Sequence, residues 1–255
     1  MDFSTLTAIT IPEGSVTKIT DASGNVLWQQ GYTYTVYDDN SHYLYGPSTL
    51  DISDTSAGID LGIIYDSNMY IGIKAKFRLS GSYFWDKLIG TAEDSGFALQ
   101  IYSANSYKNG LRMYFGNSAS YATAGYGSSK NNWKENVDIG LGLGSRGYNG
   151  ALAYYIWNTG ASSPSWALIN SYNYTSYTSK QTIHVFGYNN SNTSPNWGVA
   201  HVYIYQHDST HTGLTDGQIM ELYPCKRSDG ICGLYDKLND KFYSGAYKPE
   251  EWTIV

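Results

Sequence analysis

Apolar and polar residues alternate along much of this chain. In YIGIKAKFRL (residues 70–79) one side carries Ile71, Ile73, Ala75, Phe77 and Leu79, and the other carries Lys74, Lys76 and Arg78. A period of two is typical of a β-strand with one buried and one wet face. Similar short segments follow at close intervals, bounded by Gly, Asn or Ser. About ten such segments predict an all-β, antiparallel two-sheet sandwich and not a βαβ array.

The first part of the chain reads as a separate unit. Residues 15–29, SVTKITDASGNVLWQ, place two short alternating runs around Asp21, Gly24 and Asn25, which predicts a β-hairpin. A two-stranded ribbon is marginal alone, so it must pack on something else. We therefore predict an N-terminal attachment or assembly segment over residues 1–31. The β-sandwich is then expected over residues 32–255.

One segment favours a helix. In LTDGQIMELY (residues 214–223), Thr215 and Gln218 have the spacing of a capping box. Ile219, Met220 and Leu222 follow it on one side. This pattern predicts one short helix immediately before the cysteine-containing segment.

Composition and charge narrow the function classes. The chain has 26 Tyr, 7 Trp and 27 Gly, with only 15% charged residues. This mix suits a sandwich with an extracellular or virion-like surface. A net charge of −6 argues against nucleic acid as a partner, since no basic stripe exists to neutralise phosphates. Apolar runs fall short of a membrane span, and MDFSTLTAITIPEG does not resemble a secretory signal.

Both cysteines, Cys225 and Cys232, lie in PCKRSDGIC. They are too few for a disulfide scaffold, and no C-x-x-C motif or nearby histidine pair completes a redox or zinc site. Ser228-Asp229-Gly230 between them has turn chemistry. The segment is therefore predicted to be a hairpin with the cysteines on facing strands. They serve there as small apolar fillers or, at most, as one local cross-strand bridge.

Three glycines, Gly142, Gly144 and Gly147, spell G-x-G-x-x-G. A dinucleotide site needs a helix after this motif. The next residues, YNGALAYYIWN, read as a turn and another strand, so we interpret the segment as a glycine-containing hairpin tip and assign no nucleotide cofactor.

Histidines and carboxylates give no metal assignment. His207 and His211 lie in HDSTHTG, which has turn composition and lacks the H-E-x-x-H pattern. His201 and His207 share strand parity with Tyr203 and Tyr205, which indicates one face of a sheet rather than a metal site.

Three aspartates are candidate calcium ligands. Asp51, Asp54 and Asp60 lie in a loop-like, oxygen-rich stretch of the kind that suits Ca²⁺. Their spacing does not match an EF-hand loop. We therefore assign no cofactor and no metal residues, with Ca²⁺ left open.

No catalytic residues are predicted. The sequence lacks G-x-S-x-G, and none of its Glu residues belongs to an E-x-D-x-x-E run of the kind found in sandwich glucanases. Glycosidase chemistry requires two carboxylates close together. An Asp pair assembled from distant loops stays open as an alternative, but the expectation is a protein that is not an enzyme.

Aromatic residues beside amide-rich loops are the candidate ligand-binding residues. GYNNSNTSPNWG carries Tyr188, Asn189 and Trp197, and Trp157 and Trp166 flank NTGASSPS. Sugars stack their apolar ring faces on aromatics while amides satisfy their hydroxyl groups. The alternative is that these rings belong to the core at strand ends.

The tail carries a family resemblance. Residues 224–243, PCKRSDGICGLYDKLNDKFY, together with GIDLGIIYDSNMYIGIKAKF, GVAHVYIYQHD and LTDGQIMELY, resemble laminin-G-like, concanavalin A-like lectin/glucanase domains. The versions most similar occur in phage structural proteins and in surface proteins of Gram-positive bacteria. The opening residues, FSTLTAITIPEGSVTKITDASGNVLW, are similar to a short module that precedes such domains.

The resemblance implies a jelly roll of two curved sheets that ends in the Cys225 hairpin and the GLYD segment. In similar sequences the position of Cys232 is aliphatic, which agrees with the filler interpretation. The implied function is a non-enzymatic structural or binding module of a phage virion (head fibre, decoration or tail receptor-binding protein) or of an extracellular cell surface. Implied partners are a bacterial surface glycan or receptor and other virion proteins, with a homotrimer as the implied oligomer. A carbohydrate-active hydrolase and a Gram-positive adhesin domain are the alternatives.

Overall fold

The protein is all-β. The structure is a computed structural model that describes residues 18–20, 26–29, 31–47, 58–66, 69–77, 85–91, 98–104, 107–114, 123–124, 138–148, 151–158, 166–172, 178–186, 197–206 and 217–255. These residues form 19 strands in three sheets, all paired antiparallel, and one 3₁₀ turn at Pro249–Glu251. The fold class predicted from the alternating pattern is thus confirmed.

The first sheet is a hairpin of β1 (Lys18–Thr20) and β2 (Val26–Gln29), as predicted, with Ile19 opposite Trp28. The second sheet has six strands in the order β10-β9-β8-β7-β14-β5. Their bounds are β5 Ile59–Asp66, β7 Trp85–Gly90, β8 Ala98–Ala104, β9 Tyr107–Tyr114, β10 Thr123–Ala124 and β14 Thr178–Val185. The assembly role of the hairpin stays a prediction.

The third sheet has 11 strands, with a main path β13-β12-β11-β6-β15-β16-β17-β18. The bounds of this path are β6 Met69–Phe77, β11 Asp138–Tyr148, β12 Ala151–Asn158, β13 Trp166–Tyr172, β15 Trp197–Gln206, β16 Gln218–Arg227, β17 Cys232–Asp236 and β18 Lys241–Tyr243. Three short strands pair beside it: β3 Tyr34–Val36, β4 Leu44–Tyr45 and β19 Thr253–Ile254.

One hydrophobic core joins the second and third sheets into a sandwich. Apolar side chains of β6, β15, β16 and β17 lie in the same buried cluster as those of β5, β7 and β14. The cluster includes Ile71, Ile73, Val202, Ile204, Leu222 and Leu234 from the large sheet and Ile59, Leu61, Leu88, Ile183 and Val185 from the small one. Burial of these aliphatic side chains is the main favourable term for such a fold.

The outer face of the large sheet is the one that does not face this core. Along β6, Ile71, Ile73 and Ala75 are buried in the core, and Lys74 and Lys76 alternate with them as predicted. The register carries this alternation into β15, where His201 lies opposite Lys74. Side chains that share parity with Lys74 therefore define the outer face.

Strands β15 and β16 separate part-way along their length. They pair from Gln218 to Leu222, where Leu222 lies opposite Val202. Beyond that point β3 pairs with β16 at Cys225–Arg227, and β4 pairs with β15 at Val199. The connection between β3 and β4 is thereby inserted into the gap, next to the outer face.

Pro224 lies where the two strands separate. Its carbonyl oxygen accepts a hydrogen bond from the Tyr37 amide at 2.9 Å. The nitrogen of a strand residue points to the same edge as its carbonyl, so the missing N–H of Pro224 faces a position that β15 has already left. Proline is tolerated in a strand where no ladder hydrogen bond is lost.

The predicted helix at 214–223 is wrong. Residues 218–227 form strand β16, which pairs with both β15 and β17. Met220 and Leu222 are buried with the half-buried Glu221 between them, and residues 222–225 are buried on both faces of the sheet. Gly217 has φ 71°, a left-handed conformation that is unsuited to an N-terminal helical turn. Tertiary pairing on two edges outweighs the local capping-box signal.

The cysteine hairpin is present as predicted. Strands β16 and β17 are antiparallel, and Gly230 takes φ 93° in the turn between them. Cys225 lies opposite Gly233 and Cys232 lies opposite Lys226, which puts the two cysteines on opposite faces of the sheet. Both thiols are free and buried. The cysteines therefore act as small apolar fillers, which was the first of the two interpretations, and do not form a cross-strand bridge.

The glycine motif lies within a strand. Gly142, Gly144 and Gly147 belong to β11, and β12 follows antiparallel to it. The hairpin is confirmed, although the three glycines precede its tip and do not form it. No helix within the described residues has the length and apolarity needed to cross a membrane.

Candidate functional site: the aromatic outer face

Four rings are in successive contact on the outer face of the large sheet. The His201 imidazole stacks on Tyr223 with centroids 4.3 Å apart and planes 7° apart. Tyr203 lies 5.1 Å from His201, and Tyr205 lies 5.8 Å from Tyr203. The prediction that His201, Tyr203 and Tyr205 share one face is confirmed. We call Tyr205, Tyr203, His201 and Tyr223 the ring row.

A glycine positions the centre of the ring row. Gly72 lies opposite Tyr203 in the register, and a Cβ added at Gly72 would collide with the Tyr203 ring. The ring therefore lies directly on the bare backbone of the neighbouring strand. Aromatic side chains commonly cover strand glycines in this way, which limits the orientations of the ring.

A second aromatic group extends the outer face towards β18. Tyr235 lies opposite Tyr223 on one side and opposite Phe242 on the other. Tyr34 packs 5.0 Å from Tyr235 and 5.5 Å from Phe242. Tyr34 is 39% exposed, so this end of the face is open to solvent.

The connection between β3 and β4 borders the ring row with polar groups. Asp39 accepts hydrogen bonds from the Ser41 amide at 2.9 Å and pairs with His42 Nδ1 at 3.0 Å. Asn40 has φ 59°, a left-handed conformation that asparagine tolerates. The carbonyl oxygen of Asn40 accepts a 3.0 Å hydrogen bond from Lys74 Nζ, which ties the connection to β6.

Lys237 and Asp38 form an ion pair close to Tyr223. Lys237 Nζ lies 2.7 Å from Asp38 Oδ2 and 5.5 Å from the Tyr223 ring centroid. Tyr223 is only 8% exposed, whereas the Lys237 and Asp38 side chains are 44% and 51% exposed. The pair therefore lies at the surface, beside Tyr223.

Burial keeps His201 uncharged at neutral pH. Desolvation lowers its pKa to about 4, against a smaller opposing effect of Glu221. His201 Nε2 lies 3.7 Å from Glu221 Oε1, a contact between a neutral imidazole and a carboxylate rather than an ion pair. The Tyr223 hydroxyl donates to the same Glu221 oxygen at 2.8 Å, and burial together with this bond raises the pKa of Tyr223.

Lys74 completes this polar cluster from β6. Burial lowers its pKa, while the nearby Asp39 carboxylate acts in the opposite direction. Asn40 Oδ1 and His201 Nε2 are both buried without a hydrogen-bond partner. The arrangement thus places a partly exposed carboxylate, that of Glu221, beside the stacked rings of His201 and Tyr223.

The tail motif that carries the family resemblance is largely structural. Asp236 is fully buried, and its Oδ1 accepts from the amides of Glu221, Leu238 and Asn239 at 3.1, 3.0 and 3.3 Å. Its Oδ2 accepts from Asn239 Nδ2 at 2.7 Å. This carboxylate fixes the turn after β17 and joins it to β16.

The turn of the cysteine hairpin is held by one charged pair. Arg227 forms a bidentate pair with Asp229, with Nε–Oδ1 2.9 Å and Nη2–Oδ2 2.8 Å. The Arg227 guanidinium also lies 4.2 Å from the Tyr32 ring and 5.2 Å from the Phe242 ring. Asp229 and Gly230 therefore have a conformational role.

The candidate residues predicted from sequence are only partly placed. Tyr188 and Asn189 lie outside the described residues. Trp197 begins β15 opposite Phe77. Trp157 and Trp166 lie directly opposite each other on β12 and β13, so the backbone register pairs them as the sequence interpretation did. The roles of all five in ligand binding stay predictions.

Only one of the candidate metal ligands, Asp60, lies within the described residues. Asp60 lies in β5, where its Oδ1 accepts from the Gly62 amide at 2.8 Å and faces His184 Nε2 at 3.8 Å. Asp51, Asp54, His207 and His211 lie outside the described residues. Within the described part of the chain, no three His, Cys, Asp or Glu side chains form a group suited to a metal ion.

Sequence reasoning missed Asn40, Lys74, Glu221 and Tyr223 as site residues. Glu221 and Tyr223 were missed because the predicted helix would not pair with the strand that carries His201 and Tyr203. A strand interpretation of ELYPC would have placed Glu221 and Tyr223 on one face, since they are two residues apart. Asn40 had no comparable local signal.

Comparison with known proteins supplies no family. No protein-family model and no curated protein matches the sequence. Among solved structures, the crystal structure of a functionally unknown protein from Saccharomyces cerevisiae is similar with a TM-score of 0.38 and 10% identity, over 70% of this chain and 97% of that chain. A likeness at this level carries no argument about function.

Proposed function

We propose that this protein is a non-enzymatic glycan-binding module, displayed on a phage particle or a cell surface, that contacts a bacterial surface glycan through its aromatic outer face. The observation that carries the proposal is the ring row, which joins stacking surfaces to a polar cluster at one end. We also propose that the sandwich is a laminin-G-like, concanavalin A-like jelly roll, on the strength of the tail motif.

The ring row has the chemistry that a sugar requires. A pyranose has an apolar ring face that packs on an aromatic side chain, and peripheral hydroxyl groups that need polar partners. Tyr203, fixed on Gly72, offers such a surface. Glu221, whose side chain is 34% exposed, offers hydrogen-bond acceptors beside the ring row.

The state of the carboxylates supports binding over hydrolysis. Glycosidases set the pKa values of two carboxyl groups apart so that one acts as acid and the other as base or nucleophile. Here the hydrogen bond and charge of Lys237 lower the pKa of Asp38, and hydrogen bonds from the Ser41 amide and from His42 lower the pKa of Asp39. Glu221 accepts from the Tyr223 hydroxyl. These groups position neighbours and do not form an acid–base pair.

The remaining features support display on a particle or surface. The N-terminal hairpin forms a sheet of its own, and a two-stranded sheet needs a partner for stability. A weakly charged surface rich in Tyr and Asn suits adaptable recognition. A virion protein that docks through the hairpin and presents the sandwich satisfies both features.

A glycan array of bacterial surface oligosaccharides tests the proposal. The wild-type protein is expected to bind at least one glycan, and Tyr203→Ala to weaken this binding by about 30-fold, since a central aromatic contact is worth about 2 kcal/mol. Tyr247→Ala is the matched control, because Tyr247 lies outside the ring row. Absence of binding by the wild-type protein overturns the proposal, and so does an equal loss in both variants.

A further inference from the structure

A carboxylate lies among the aromatic side chains of the outer face. Glu221 of β16 lies directly opposite Tyr203 of β15, so the two side chains are neighbours on one face of the sheet. Glu221 Oε1 accepts from the Tyr223 hydroxyl at 2.8 Å and lies 3.7 Å from His201 Nε2. Burial raises the pKa of Tyr205, and the negative charge of Glu221 raises it further. The Glu221 carboxylate therefore borders all four rings of the ring row.

The protein supplies little positive charge to this carboxylate. The described part of the chain places no lysine or arginine in an ion pair with Glu221. His201 is uncharged at neutral pH, because burial lowers its pKa to about 4. The hydrogen bond and charge of Asp38 raise the pKa of Lys237, and Glu221 adds only a smaller effect. A charge partly withdrawn from water attracts an opposite charge more strongly than one in bulk solvent. Glu221 therefore favours a cationic ligand group.

Two rings next to Glu221 form a corner. Tyr203 and Tyr205 lie with their ring centroids 5.8 Å apart and their planes 75° apart. Both tyrosines are half-buried, and the Glu221 side chain is 34% exposed, so a ligand can contact all three from solvent. The face of an aromatic ring attracts a cation placed over it. Ring faces and carboxylate thus favour the same charge.

We propose that Tyr203, Tyr205 and Glu221 form a subsite for an ammonium group carried by the glycan. The inference rests on the proposed function, because it names a substituent of the ligand that binds the same face. The group is the free amine of an amino sugar or a trimethylammonium substituent. A protonated amine donates hydrogen bonds to the Glu221 carboxylate, whereas a trimethylammonium group packs its methyl groups on the two rings.

The charge of Glu221 can be removed with little change in shape. Glu221→Gln keeps the length of the side chain and an oxygen that accepts from the Tyr223 hydroxyl. Loss of a charge-assisted contact predicts about tenfold weaker binding of an ammonium ligand. Glu250→Gln is the matched control, since it makes the same chemical change at an exposed position outside the outer face. It is expected to bind like wild type.

The ring of Tyr205 provides a second, independent variant on another strand. Tyr205→Leu removes the ring face, and the lost cation–π contact predicts about two- to tenfold weaker binding of an ammonium ligand. Tyr205→Phe is its matched control, because it keeps the ring and is expected to bind like wild type. Misfolding of one test variant leaves the other as a test.

Two measurements separate the two sources of the ammonium group. The first is an array of amino-sugar oligosaccharides printed as matched pairs, one free amine and one N-acetylated, read at about pH 6 so that the amine is protonated. The second is a calorimetric titration with choline and with 3,3-dimethylbutan-1-ol, its uncharged counterpart of similar shape. We expect wild type to prefer the cationic member in at least one measurement, and Glu221→Gln and Tyr205→Leu to reduce that preference.

The outcomes distinguish the subsite from the proposed function. Glycan binding without preference for the cationic member in either measurement overturns the subsite and leaves the proposed function standing. A cation preference that both test variants leave unchanged also overturns the subsite. Absence of all glycan binding by wild type overturns the proposed function and this inference with it.

Discussion

His201 stacks on Tyr223 across the junction of β15 and β16, with ring centroids 4.3 Å apart and planes only 7° apart. The stack buries the imidazole, and this burial is the main reason why the pKa of His201 falls to about 4. It also holds Tyr223 where its hydroxyl reaches Glu221. One contact between two strands thus fixes both the geometry and the charge state of the proposed binding face.

The first prediction is a pH-dependent contribution of His201 to stability. The folded pKa of about 4 lies below the ordinary value of 6.5, so the unfolded chain binds the proton more readily. The contribution is fully present above pH 6.5 and is lost as the pH falls towards 4, on the order of 3 kcal/mol at most. Urea unfolding of wild type and His201→Phe from pH 4 to 7 measures it. A pH profile that is equally steep in both proteins contradicts the assignment.

The second prediction concerns the bare backbone below Tyr203. Gly72→Ala places a methyl group within the Tyr203 ring, so the ring must move. We expect a loss of glycan affinity close to that of Tyr203→Ala, with about 1–3 kcal/mol of overpacking cost in unfolding free energy. Gly31→Ala is the matched control, because a Cβ there meets no atom within 4 Å. Array binding and urea unfolding of both variants give the comparison, and wild-type affinity in Gly72→Ala argues against a role for Tyr203.

The third prediction is that the two cysteines do not pair. They lie on opposite faces of the β16–β17 hairpin, and burial raises the pKa of Cys225 to about 12. A thiol with a raised pKa and no solvent access is inert, because the thiolate is the reactive form. A thiol-specific reagent is expected to label neither cysteine in the native protein and both in urea. An intact mass lower by two hydrogens after air oxidation would show that the strands shift enough to form a bridge.

The fourth prediction concerns Asp236. Its buried carboxylate accepts from three backbone amides and one side-chain amide, so Asp236→Ala leaves four donors without their acceptor. Each unsatisfied donor is costly, and the loss in unfolding free energy is expected to be on the order of 3 kcal/mol or more. Asp240→Asn, at an exposed position in the same turn, should cost far less. A shift of the urea midpoint without a change in slope is the measurement, and equal midpoints for the two variants would contradict a structural role for Asp236.

Sequence patterns predicted the fold well where burial repeats every second residue. The alternation in 70–79 located β6 and its two faces. A strand with one buried face has only one register that keeps its apolar side chains in the core. Asp229 and Gly230 located the hairpin turn for a similar local reason. The segment at 214–223 failed because a capping box is a local signal, while β16 is held by partners on two sides.

The candidate site was less predictable than the fold. His201, Tyr203 and Tyr205 were placed on one face because they are neighbours on one strand. Tyr223 joins them only through the pairing of β15 with β16, and Asn40 only because the β3–β4 connection enters the gap between those strands. Contacts between residues on different strands depend on the register of those strands, which local patterns do not specify.

The most direct test of a glycan-binding outer face is a crystal structure of the protein with the oligosaccharide that binds most strongly on the array. We predict sugar density stacked on Tyr203, with hydroxyl groups directed towards the Glu221 carboxylate. Sugar density only around Tyr188 and Trp197, or only around Trp157 and Trp166, would contradict binding on the outer face. The binding site would then be the one predicted from the sequence.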